Sequence, residues 1–157
     1  MRAIYRSLAA VFGAIVLSSV MSAAETRAGS DNPIVVAHEM VNAWNALDAD
    51  AIAELFAEDS RFQSMMAEPI AGREVLREHF GTLLAGATAL ELQLRNVAVT
   101  GNAVFIERVD VFTYQGKTGS VPVVCVMEIS NGKVQEWREY YDRAELLGEM
   151  GISEIGH

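Results

Sequence analysis

Cysteine is almost missing from this 157-residue chain: Cys125 stands alone, so no intrachain disulfide can form. The domain must hold itself together by burial, whatever the redox state of its compartment. Histidine is scarce too, and His38, His79 and His157 are too scattered to show the spacing of a metal site. Metal-free, cofactor-free chemistry is the expectation. Positive charge is short, with 12 Lys+Arg against 21 Asp+Glu. Two of those cations, Arg2 and Arg6, precede the globular part, and without them the net charge is about −11. Such a surface repels phosphate backbones and anionic headgroups, so nucleic acid and membrane are poor partners. Long apolar runs are also lacking. The longest, Leu8 to Leu17, is too short to cross a hydrocarbon core of roughly 30 Å comfortably.

That run has another use. Basic residues, an apolar stretch and the small residues Ser22-Ala23-Ala24 form the three parts of a signal peptide, residues 1–24. Cleavage after Ala24, with Ala28 as a second site, would leave a chain free in the periplasm or outside the cell. Residues 25–32 are a polar tether. One domain is expected over 33–150, followed by a tail, 151–157.

Asn32-Pro33 has the form of a helix start, and Val36, Met40, Val41, Trp44 and Leu47 keep one helical face, predicting a helix from Pro33 to Leu47. Asp48 can cap a second, short helix. A polar turn, Ala57 to Ser60, should precede a strand from Arg61 to Met66. Gly72 begins a third helix with Val75, Leu76, His79, Phe80 and Leu83 on one side. From Ala87 the period becomes two, with strands at 90–99, 103–114, 117–129 and 133–141 joined by short turns such as Asn131-Gly132. Pro122 inside the third of these argues for a bulge or an edge. Residues 144–150 make a last short helix. The expected fold is α+β, a curved sheet of four or five strands wrapped around the long helix.

Strand alternation places Val104, Ile106, Arg108, Asp110, Phe112 and Tyr114 on one face. Arg108 and Asp110 are thus an ion pair between Ile106 and Phe112, where burial is costly unless charges are matched. A structural salt bridge or a dimer contact would explain the pair equally well. In the strand at 133–141, however, Trp137 and Glu139 share a face with Tyr141. If that face also looks inward, Glu139 joins Asp110 with Arg108 between them. Two carboxylates sharing one guanidinium and one proton suit simultaneous proton donation and abstraction. Ser64, beside Phe62 and Met66 on one strand face, offers a hydroxyl, although serine often satisfies its own backbone instead. His38 and His79 read as packing or surface residues, and Cys125 as buried and inert.

Five segments together carry a resemblance: Trp44 to Asp50, Leu55 to Asp59, Glu68 to Glu74, Glu107 to Asp110 and Trp137 to Asp142. In this order, across most of Pro33 to Leu147, they resemble the limonene-1,2-epoxide hydrolase family. The resemblance implies the cone-shaped fold shared with nuclear transport factor 2 and ketosteroid isomerase, usually as a homodimer. It also implies one-step hydrolysis of a small apolar epoxide with no covalent enzyme intermediate. In that family an Asp-Arg-Asp set works with a Tyr and an Asn that hold water. Carried over, Asp110 matches the acid and Arg108 the orienter, whereas Glu139 stands where the basic Asp would be. Phe62 and Ser64 replace the Tyr and the Asn, and Trp137 matches the Trp beside the base. Met66, Phe112, Val121, Val123 and Tyr141 complete the expected pocket wall. The same acid and base could instead serve an isomerase or an epoxide-opening cyclase, and a non-catalytic carrier of apolar ligands is the third reading.

Overall fold

The computed structural model describes residues 31–64 and 67–152. The expected signal peptide, most of the tether, Met65, Met66 and residues 153–157 of the tail lie outside the described residues. Asn32 opens the first helix, α1 (Pro33–Asn45), by accepting the Ile34 N–H at 3.2 Å, with Pro33 at the first position. α1 stops two residues short of Leu47 because Leu47 turns to φ 56° and the Asp48 N–H bonds back to the Ala43 carbonyl. Asp48 then caps α2 (Ala49–Glu54), accepting the Ala51 N–H at 2.9 Å.

The remaining elements are β1 (Phe56–Ser64), β2 (Ile70–Ala71), α3 (Arg73–Leu84), β3 (Ala87–Thr100), β4 (Ala103–Tyr114), β5 (Lys117–Ser130), β6 (Lys133–Tyr140) and α4 (Arg143–Met150). They form one mixed sheet in the order β2-β1-β6-β5-β4-β3. β3 to β6 are the expected antiparallel meander, and β1 lies parallel to β6. The expected curved α+β architecture is present.

Several local expectations need correction. Residues Ala57 to Ser60 are strand rather than turn. Phe56 pairs with Val134, the ladder shifts before Arg61, and the Ser60 carbonyl accepts the Gly72 N–H at 2.9 Å. This irregular stretch leaves Glu58 and Asp59 exposed and Ser60 buried, so its polarity reflects the solvent face of a strand with a bulge. The described part of this strand ends at Ser64, and the expected last two residues, Met65 and Met66, lie outside the described residues. The two-residue β2 brings the sheet to six strands instead of four or five. On α3 the buried residues are Leu76 and Phe80, while Val75 and Leu83 are exposed. Of the bulge or edge expected at Pro122, the edge is what is found, in an unbroken β4–β5 ladder where Pro122 stands opposite Val109. β6 extends only as far as Val124, so Pro122 sits where β5 has a single neighbour and no β6 bond is lost.

α1 lies against β3, β4 and β5, burying Val36, Met40 and Trp44 with Phe56, Phe80, Ile106, Met127 and Trp137. The Asn45 side chain accepts the Leu92 N–H at 2.8 Å and ties the end of α1 to β3. α4 packs on the opposite end of the same sheet face, over Phe112, Val121 and Val123. Asp142 caps it through the Ala144 and Glu145 N–H groups, and Gly151 closes it at φ 69°. Gly119 permits this packing, since a Cβ there would lie 2.7 Å from that of Glu149. Between the ends of α1 and α4 a space remains. No helix among the described residues is long and apolar enough to cross a membrane.

Candidate active site

A cavity of about 420 Å3 opens in that space, within the range of small-molecule sites. Arg108 lies at its floor with only 4% of its side chain exposed. Its Nε donates to Asp110 Oδ1 at 2.6 Å and its Nη2 to Asp110 Oδ2 at 3.1 Å, a two-bond fork. Nη2 also donates to Glu139 Oε1 at 2.5 Å. The expected junction of the two carboxylates through one guanidinium is therefore present. Register explains it: Arg108 stands opposite Val123 on β5, Cys125 stands two residues further, and Cys125 is paired with Glu139 on β6. Alternation turns all of these side chains to the same face.

The cluster carries one positive and two negative groups, so it is left with one net negative charge unless a carboxylate is protonated. Burial works against the charge on Arg108, but Glu139 and Asp110 outweigh it and raise the guanidinium pKa further. Burial also raises the Glu139 pKa, and the nearby Asp110 adds to this, while Arg108 pulls in the opposite direction. Glu139 thus holds its proton more strongly than an ordinary glutamate and, once ionised, is a stronger base. The Cys125 thiol beneath is pushed up to about 12 by burial and stays protonated at neutral pH. Its expected inertness has this physical cause.

Phe62, Ser64, Phe112, Val121, Val123 and Tyr141 all line the cavity with the three charged residues. Trp137 does not. It is 1% exposed and packed behind the wall, with ring centroids 6.1 Å from Phe62 and 5.9 Å from Trp44. The Arg108 guanidinium carbon sits 5.9 Å from the Trp137 ring, so this indole supports the cation from below. The bulk of an indole on an inward strand face is better satisfied by complete burial. Met66 lies outside the described residues.

Other lining residues escaped the sequence reading. His79 faces the cavity from α3, 6.0 Å from Phe62 between ring centroids, and burial lowers its pKa, favouring a neutral imidazole. Leu146 and Met150 come from α4, and their four-residue spacing was the available signal. Tyr114 shares the alternating face of Arg108 and could have been found by extending that face to the strand end. The Tyr114 ring crosses Gly86, where a Cβ would come within 2.5 Å of it.

A model of the SnoaL-like domain matches residues 37–137. A protein with a ketosteroid isomerase-like fold from Catenulispora acidiphila is 18% identical, with a TM-score of 0.69 over 78% of this chain and 96% of its own. An LEH-like epoxide hydrolase from M. tuberculosis is 19% identical, with a TM-score of 0.67 over 75% of this chain and 88% of its own. A candidate SnoaL-like polyketide cyclase from Jannaschia is 20% identical, with a TM-score of 0.67 over 77% of this chain and 92% of its own. At such identities these likenesses establish the fold, and chemistry must be argued from the site. The chain belongs to the SnoaL-like domain family, with the nuclear transport factor 2-like fold.

Proposed function

We propose that this protein hydrolyses an epoxide on a small apolar molecule, by one-step general acid/base catalysis without metal or cofactor. The observation that carries the reading is the Arg108 bridge between Asp110 and Glu139 at the floor of an apolar cavity. Glu139 takes a proton from water as the water oxygen attacks one ring carbon. The bond from that carbon to the epoxide oxygen breaks, and Asp110 gives its proton to that oxygen. Water and epoxide become a diol, and the proton gained by Glu139 balances the one lost by Asp110. Arg108 fixes both carboxylates, and such positioning is what makes acid/base assistance of about 10² to 10⁴ in rate attainable. The resemblance to limonene-1,2-epoxide hydrolases in the Glu107 to Asp110 and Trp137 to Asp142 segments supports the same roles.

Turnover of a panel of cyclic epoxides in isotopically labelled water tests this. One labelled oxygen per diol is expected. No consumption of any epoxide would sink the reading, and consumption giving an unlabelled ring-opened product would mean that a group of the substrate replaces water.

A second copy of the chain is the proposed partner. Among the described residues nothing covers the sheet face away from the cavity, where Phe105, Val124 and Tyr140 are 40%, 43% and 50% exposed. Val124 stands opposite Tyr140 and Phe105 opposite the buried Val126, so these apolar residues are neighbours on a face they share with Glu107 and Arg138. A two-fold pairing would bury this patch against itself. Phe105→Glu should give a monomer by light scattering where the parent is a dimer; a monomeric parent removes the proposal.

A further inference from the structure

Two hydroxyls in the cavity have no part in the proton transfers between Asp110, Glu139 and substrate. Ser64 Oγ and the Tyr141 hydroxyl lie 2.5 Å apart, brought together from positions 77 residues apart in sequence. Ser64 stands directly across the parallel β1–β6 ladder from Glu139. Tyr141 follows Glu139 by two residues, and both line the cavity. Two hydroxyls and a carboxylate therefore open on one place.

Their hydrogen-bond inventory is incomplete. Each hydroxyl has one proton and two lone pairs. The mutual bond uses one of the two protons, and among the described residues neither side chain has a second partner. One donor and several acceptor sites remain beside Glu139, in a cavity whose other walls are largely apolar. Phe62, the neighbour of this pair on the same strand face, offers no hydroxyl.

We propose that Ser64 and Tyr141 form a hydroxyl dyad that binds the attacking oxygen next to Glu139, Ser64 by contact and Tyr141 by holding the Ser64 hydroxyl in place. The inference rests on the acid/base reading of Asp110 and Glu139 and adds what places the nucleophile for them. A water in this site gives one proton to Glu139 and hydrogen-bonds to the dyad with the other, leaving a lone pair for the ring carbon. Ser64 is then a catalytic residue and Tyr141 a positioning residue.

The test uses cyclooctene oxide as substrate and its 1,2-diol as a binding probe, with the full chain and its Ser64→Ala, Tyr141→Phe and doubly substituted forms. Ser64→Ala should lower kcat about 10- to 100-fold and Tyr141→Phe about 10-fold, with KM and the urea midpoint near the parent values. The double variant should be no slower than Ser64→Ala, because the two side chains act as a unit. Diol affinity, read by calorimetry, should fall several-fold in each single variant. Unchanged kcat in both variants, with the parent active, overturns the dyad and leaves hydrolysis standing. So do additive losses or losses matched by lowered urea midpoints, which belong to packing. If the parent opens no epoxide but binds the diol, and both variants weaken that binding, the oxygen-binding dyad stands and hydrolysis fails. If the parent neither opens the epoxide nor binds the diol, both are overturned.

Discussion

Arg108→Met is expected to cost roughly 3–5 kcal/mol of stability at pH 8, more than any surface charge change, because it strands two carboxylates in the cavity floor. Asp110 and Glu139 have side-chain exposures of 17% and 12%, so water replaces little of what the guanidinium supplies. The loss should depend on pH in a particular direction. Without Arg108, nothing opposes the burial and the neighbouring Asp110 charge that already raise the folded-state pKa of Glu139 above its unfolded value. A group of that kind stabilises the fold fully below the unfolded value, about 4, and loses that contribution as pH rises through the folded one. Urea unfolding should therefore show a small deficit near pH 4 and the whole deficit at pH 8. Arg108→Lys keeps a charge but not the fork that grips both Asp110 oxygens, and should fall between the two. A methionine variant as stable as the parent at pH 8 would mean that the three groups are not an interdependent buried network.

Removing either carboxylate should separate activity from stability. Asp110→Asn and Glu139→Gln are each expected to lower epoxide turnover by about 10² to 10⁴, the usual size of a lost general acid or base. Cys125 cannot substitute, since its thiol is held at about 12. Stability should respond differently. The Glu139 pKa is raised in the fold, chiefly by burial, so its contribution is present at low pH and is lost as pH rises through the folded value. Glutamine does not titrate, and Glu139→Gln leaves Arg108 matched with Asp110 alone. The urea midpoint of this variant should therefore gain on the parent as pH rises above the unfolded glutamate value, and level off once the raised folded value is passed. Turnover within about tenfold of the parent in either variant would remove that carboxylate from the chemistry, and a midpoint difference independent of pH would contradict the raised pKa of Glu139.

Arg108, Asp110 and Glu139 were legible in the sequence because a strand repeats every two residues, and a charge among inward apolar residues stands out against that repeat. The same rule placed Phe62, Ser64 and Tyr141. It could not show that the Ser64 and Tyr141 hydroxyls meet, since that depends on β1 running parallel to β6, a pairing between distant segments. It also could not tell a wall from the layer behind it: Trp137 faces inward like Glu139, yet disappears into the core. The stretch from Ala57 to Ser60 was misread as a turn because local polarity looks the same in a turn and on the solvent side of a bulged strand. The α4 wall was missed for a related reason. Its cavity side rests on Leu146 and Met150, too few apolar positions to announce a second packed layer.

The two ends of the cavity are built to different standards of rigidity. At the floor, β4 and β6, the strands that carry the reacting groups, are bonded on both sides and hold them to fixed positions. At the other end α4 has no fully buried residue and is held by its caps and a few partly buried side chains. Segments anchored so lightly open at a small fraction of the global unfolding free energy. Discrimination should follow the same gradient along a bound molecule. Its reactive end meets a fixed template that is intolerant of a displaced methyl group, while its far end meets a compliant wall that accepts substituents of varied length.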